Sequence, residues 1–163
     1  MTTPVLLVGE ALIDIVQPLT GDSVEHVGGS PTNVAVGLAR LGHPTTLATY
    51  VGTDPRGRRI AAAMAAEGVA LTPGSTDAPH TSTATARLDE TGAASYEFDL
   101  VWDLPTDLPV PTGGHVHTGS ISATVEPGGA RLAELFAQAR ERATLSYDPN
   151  CRPSIMGDPA LVQ

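Results

Sequence analysis

The sequence predicts an α/β fold with a β insertion, and three observations carry this. Short apolar or β-branched runs alternate with helical patterns along most of the chain. Two of the helices are punctuated at both ends, by Pro at the start and Gly just past the end. Between residues 83 and 99, two alternating runs flank a glycine-containing turn.

Val5-Leu6-Leu7-Val8, ending at Gly9, reads as a strand buried on both faces, because it is apolar without alternation. Ser30 to Gly42 predicts a helix: Ser30 is placed as N-cap, Pro31 at the first helical position, and Val34, Leu38 and Leu41 recur at helical spacing. Thr45 to Val51 reads as a strand. A second helix is capped by Asp54, begins at Pro55, has an Ala-rich body and stops at Gly68. Thr83–Asp89 and Ala94–Asp99 form the predicted hairpin around Glu90-Thr91-Gly92. Leu104 to Gly114, with Pro105, Pro109, Pro111, Gly113 and Gly114, reads as loop. His115–Thr118 reads as a strand, Glu126–Arg142 holds a helix with Leu132, Leu135, Phe136 and Ala139 on one face, and Thr144–Tyr147 is a further strand.

Composition narrows the function classes. The 163 residues fit one domain, and 41% are hydrophobic against 4% aromatic, so the core is aliphatic. A formal net charge of −9 argues against a nucleic-acid surface. No apolar run reaches the roughly 18 residues of a membrane span, and no basic leader precedes one. The single cysteine, Cys151, makes no internal disulfide, which suits a reducing, cytoplasmic setting. All nine basic residues are arginine. Without lysine there is no lysine-bearing P-loop and no Schiff base, so phosphate chemistry has to rest on Arg, backbone N–H groups, helix starts or metal. His115 and His117 share a strand face, yet no third ligand follows at motif spacing, so a structural role is expected. The glycines around Gly9 do not spell a dinucleotide fingerprint.

The segment richest in chemistry is Gly28-Gly29-Ser30-Pro31-Thr32-Asn33-Val34-Ala35. Paired glycines before a helix admit a ligand to the backbone, the helix start offers free N–H donors, and Asn33 both donates and accepts, which suits a neutral polyol. An ordinary strand-to-helix turn reads the same way locally.

Taken in order, this segment, Val8-Gly9-Glu10 with Asp14, Val51-Gly52-Thr53-Asp54, Thr118-Gly119-Ser120-Ile121, Glu126-Pro127 and Asp148-Pro149-Asn150-Cys151-Arg152-Pro153 resemble the motifs of the PfkB family of carbohydrate kinases, fructokinases especially. The resemblance spans nearly the whole chain. It implies a ribokinase-like three-layer α/β/α sheet over residues 1–163, with residues 83–99 as a β-hairpin lid and the C-terminal part of the family fold missing. It also implies substrate-binding roles: Asp14 accepting from sugar hydroxyls, Gly28 and Gly29 bringing N–H groups near the sugar, Asn33 adding a side-chain bond, and Arg152 reaching the sugar or the transferring phosphate. Tyr96 and Phe98 are placed on one lid face, with Arg87 on the paired strand a further contact. The implied activity is ATP-dependent phosphorylation of a small sugar such as fructose or 2-keto-3-deoxygluconate. A nucleoside kinase, or a non-catalytic sugar-binding fragment, are the alternatives. ATP and Mg²⁺ are the implied cofactors of the complete protein, sugar and ATP its partners, and the lid the place for a homodimer. The family's G-A-G-D motif, which holds the catalytic base, does not occur in this sequence. The resemblance places that base after Gln163, so no catalytic residue is expected within the chain, and the chain alone is expected to be inactive.

Overall fold

The computed structural model describes residues 2–105, 107–150 and Ile155. Its centre is a five-stranded parallel sheet. In chain order, β1 (Val5–Val8) is followed by β2 (Leu12–Gln17), β3 (Val24–Gly28), α1 (Ser30–Arg40), β4 (Thr45–Ala48), α2 (Pro55–Ala66) and β5 (Ala70–Leu71). Then come β6 (Thr83–Leu88), β7 (Ala94–Asp99), β8 (His115–Gly119), α3 (Ser120–Thr124), α4 (Gly128–Ala139) and β9 (Thr144–Asp148). The central sheet runs β5-β4-β1-β8-β9.

β1 explains the layering. Its side chains alternate between two cores because a strand presents successive residues to opposite faces. Val5 and Leu7 meet Ala35 of α1 and Ile60 and Met64 of α2. Leu6 and Val8 meet Trp102, Val116, and Leu132 and Ala139 of α4. Helices on both faces of a parallel sheet give the predicted three layers.

α2 is built as the sequence indicates: the Asp54 carboxylate accepts from the N–H groups of Arg56 and Gly57, at 2.9 and 3.0 Å. α1 begins differently. Gly29, not Ser30, is the N-cap, and Ser30 and Pro31 are its first two helical residues. Gly29 holds φ 109°, and a Cβ there would stand 2.3 Å from the Glu10 carbonyl oxygen, so no larger residue fits.

The lid is larger than the predicted hairpin. β6 and β7 pair as expected, with the Asp89 carboxylate organising the turn by accepting from Thr91 N–H and Ala93 N–H. They continue, however, into a four-stranded sheet ordered β3-β2-β6-β7. Asp14 therefore sits inside β2, paired with His26 of β3 and Ala84 of β6. Ile13 and Ile15, on the back of β2, are buried in the core shared with α1 and α2. Glu25 of β3 forms ion pairs with Arg56 (2.5 Å) and Arg59 (3.7 Å) of α2. β2 and β3 thus anchor the sheet, while most of β7 is exposed.

That division predicts an exchange pattern. Amides of β7 and the Asp89–Gly92 turn are expected to exchange quickly and those of β2 slowly, and a sugar of the kind the resemblance implies is expected to slow the first group only. Hydrogen exchange with and without fructose checks this, and equal protection of β7 in both states would mark it as a fixed element.

Candidate functional site

In an open parallel sheet, ligands bind beyond the carboxyl ends of the strands, where the strand order reverses. Here β1 is that place: the chain moves from β1 out to β4 and β5, then returns to β8 on the other side. Past the ends of β1, β8 and β9, and under the lid, lies a cavity of about 660 Å³, in the range of small-molecule sites. It is lined by Glu10, Asp14, Gly29, Ser30, Asn33, Ser120 and Asn150 among polar groups, and by Leu12, Ala84, Tyr96 and Phe98 from the lid.

Register explains what the lid contributes. Across the four strands, His26, Asp14, Ala84 and Phe98 stand in one row. The next row on the same face is Val24, Val16, Ala86 and Tyr96. Asp14 therefore shares the cavity face with the two aromatic rings, which stack at 6.1 Å. Burial raises the Asp14 pKa, opposed by the charge of His26 opposite it. Arg87 falls on the other face, where it bonds to Gln17 and Glu97, so it is turned away from the cavity.

At the floor, Glu10 is 5% exposed. Its carboxylate accepts from the Ser30 backbone N–H (3.2 Å) and the Ser122 hydroxyl (2.6 Å). Burial raises its pKa, against the lowering effect of the Ser122 hydrogen bond and the backbone donors. Asn33 projects from the first turn of α1, and its own N–H bonds to Gly29 O at 3.0 Å. Ser30 Oγ donates to Asp148 at 3.4 Å.

Of the residues singled out from sequence, Asp14, Gly29 and Asn33 meet on this cavity. Gly28 is not among its lining residues. Its Cβ position is filled by the Asp14 carboxylate, which would lie 2.0 Å away, so Gly28 makes room for Asp14. Arg152 lies outside the described residues, and so does Gln163, the residue after which the catalytic base is expected. Glu10 and Ser120, which stood in the matched motifs without a role of their own, join the cavity lining on structural grounds. The two imidazoles of β8 are engaged elsewhere. His115 contacts Thr144 and Ser146 (both 2.7 Å), and His117 contacts Ser146 (2.8 Å).

The profile described as pfkB family carbohydrate kinase matches residues 2–162. The chain belongs to that family. The fructokinase of Klebsiella pneumoniae is 34% identical over 98% of this chain and 54% of its own length. A crystal structure of fructokinase from Vibrio cholerae O395 in apo form superposes with a TM-score of 0.82 at 29% identity, over 98% of this chain and 58% of that one. The Xylella fastidiosa fructokinase with bound ATP gives 0.78 at 27% identity, over 98% and 55%. A Vibrio cholerae double mutant with fructose, ADP and potassium bound gives 0.75 at 27%, over 98% and 54%. The chain spans about half the length of the relatives it matches. As a pfkB-family chain it has the ribokinase-like fold that its motifs implied, over about half the length of those relatives.

Proposed function

We propose that the chain is the acceptor-binding part of an ATP-dependent fructokinase. The observation that carries this is the convergence of Asp14, Gly29 and Asn33 on one cavity beneath Tyr96 and Phe98. An ionised carboxylate accepts from vicinal hydroxyls, an amide side chain both donates and accepts, and aromatic faces pack on the apolar edge of a sugar. Arg152 remains a proposed contact to sugar or phosphate, and the catalytic base remains proposed for the sequence after Gln163.

Charge favours a neutral sugar. Glu10 and Asp14 both face the cavity, and no Arg or His is among its described lining residues. Of the two acceptors that the motifs imply, 2-keto-3-deoxygluconate brings a carboxylate that these groups repel, whereas fructose carries no charge.

ATP is proposed as donor from the ligands in the related structures, with Mg²⁺ expected beside it. The described residues do not fit either group. None of them forms a cluster of three or more His, Cys, Asp or Glu placed for a metal. The first amide of α1, an anion site elsewhere, is already taken by the Glu10 carboxylate, which repels phosphate. The donor site is therefore assigned to the part of the family fold that this chain does not span. A homodimer through the lid is supported by Val24 (51% exposed) and Tyr96 (64%), both on the lid's front face. No helix among the described residues is long and apolar enough to cross a membrane, and the cytoplasm is the proposed location.

Calorimetric titration of the chain with D-fructose, D-glucose, adenosine and 2-keto-3-deoxygluconate tests the reading. Fructose is expected to bind most tightly and the sugar acid at least about tenfold more weakly. Preference for the acid or the nucleoside, or no sugar binding at all, overturns it.

A further inference from the structure

We propose that Glu10 is a positioning residue of the sugar cavity, fixing the start of α1 against α3, the elements that bring Ser30, Asn33, Ser120 and Ile121 to the sugar. The inference rests on the reading of this cavity as a sugar site.

Every polar group of Glu10 is engaged, and the bonds run to two helices. Its carboxylate takes the N–H of Ser30 on α1 and the hydroxyl of Ser122 on α3. Its own N–H donates to Ser122 Oγ (3.1 Å), and its carbonyl accepts from Thr32 Oγ1 (3.1 Å) on α1. α3 is moored in turn to the segment leading from the lid, because Trp102 Nε1 donates to Ser122 O at 2.9 Å. One side chain thus sets the width of the cavity floor.

A carboxylate is an expensive way to make a purely structural joint. Burial disfavours its ionised form, while the bonds from Ser122 and the backbone only partly offset this. The sign follows from linkage. A glutamate whose folded pKa lies above its unfolded one binds its proton more tightly when folded. Its ionisation therefore lowers stability above the folded pKa, and the loss is recovered as pH falls through that value toward the ordinary 4.5. What ionised Glu10 offers in return is two acceptors at once. A glutamine keeps one, and the Ser122 hydroxyl proton, which the second carboxylate oxygen accepts, loses its acceptor. The joint to α3 is thereby weakened.

Among the described residues, the titratable groups around Glu10 are few. α1 and α3 present none to it; Asp148 of β9 is reached through Ser30 Oγ, and Asp14 of β2 also lines the cavity. Both remain in Glu10→Gln, so comparison with the unaltered chain isolates Glu10.

The test compares the 163-residue chain with Glu10→Gln and Ser122→Ala, by thermal melting across pH and by calorimetric titration with D-fructose. Emission of Trp102, the one tryptophan, monitors α3 through its bond to Ser122. Glu10→Gln is expected to melt higher than the unaltered chain near pH ~8, to converge with it near pH ~4.5, and to bind fructose about tenfold more weakly. Greater stability with weaker binding is a pairing that a merely structural residue does not produce. Ser122→Ala removes the same bond from the other side and weakens fructose as well. The double variant is expected to be no weaker than the weaker single one, since both act on one joint. Fructose affinity within about twofold of the unaltered chain in Glu10→Gln, or in Ser122→Ala if the former does not fold, overturns the inference alone. An unaltered chain that binds no fructose overturns the proposed function, and this inference with it.

Discussion

Asp14→Ala is expected to weaken D-fructose binding by roughly 10- to 150-fold, the equivalent of about 1.5–3 kcal/mol for losing hydrogen bonds to an ionised group. The melting temperature should hardly change. Asp14 points from β2 into the open cavity and is only partly desolvated, so the substitution removes little packing, and the core residues Ile13 and Ile15 beside it keep their contacts. The room that Gly28 leaves is then half empty, which a methyl group tolerates. Asn33→Ala, by contrast, removes a neutral partner worth about 0.5–1.5 kcal/mol and should cost correspondingly less. Acid should mimic the first variant. Burial raises the Asp14 pKa, so the carboxylate takes up its proton at a higher pH than an ordinary aspartate. Fructose affinity therefore falls with decreasing pH, beginning above the usual aspartate range, and the fall is absent in Asp14→Ala. Calorimetric titration across pH measures both effects. Affinity in Asp14→Ala equal to that of the unaltered chain removes Asp14 from the site.

Legibility in the sequence followed the strength of local signals. β1 was plain, because a strand covered on both faces needs four apolar residues in succession. α2 was plain too, since Asp54, Pro55 and Gly68 mark its ends with side-chain chemistry. β2 and β3 were hidden. Leu12-Ile13-Asp14-Ile15-Val16 breaks alternation, because its front face is closed by a ligand cavity and its back face by the core, and so both faces carry apolar residues. β3 alternates only weakly, as Glu25 lies on the core face opposite Ile15, where it pairs with two arginines of α2 distant in sequence. The start of α1 shifted by one residue because the cap is set by backbone shape: Gly29 alone avoids the Glu10 carbonyl. Asp14, Gly29 and Asn33, which line the cavity, stood out in the sequence because they belong to ordered motifs. The part played by Gly28 was not, because it arises from strand register, which places it against Asp14. Glu10 was passed over for a similar reason: nothing local says that its partner will be Ser122, 112 residues away.

The largest effect is expected from the isolated chain itself, which should show no sugar-dependent release of ADP. Phosphoryl transfer asks for positioned charge around the moving phosphoryl group and for a base on the attacking hydroxyl. The cavity is proposed to supply the acceptor's half of that geometry. Its described lining carries two carboxylates, Glu10 and Asp14, which repel a polyphosphate rather than hold it. The first amide of α1, beside the cavity, is already taken by the Glu10 carboxylate. No lysine exists in the sequence, and the other paired glycines do not substitute. Gly113-Gly114 runs into β8, and Gly128-Gly129 opens α4 packed on Trp102, whose indole nitrogen would lie 2.3 Å from a Cβ at residue 128. An anion hole contributes about 2.7–4 kcal/mol per donor, and a general base roughly 10²–10⁴-fold. Without both, turnover falls to the uncatalysed background while fructose binding persists. A coupled ADP assay with fructose and ATP, run beside calorimetry on the same preparation, separates the two. Turnover that survives repurification and disappears in Asp14→Ala would mean that the base and the anion hole lie before Gln163 after all, within these 163 residues.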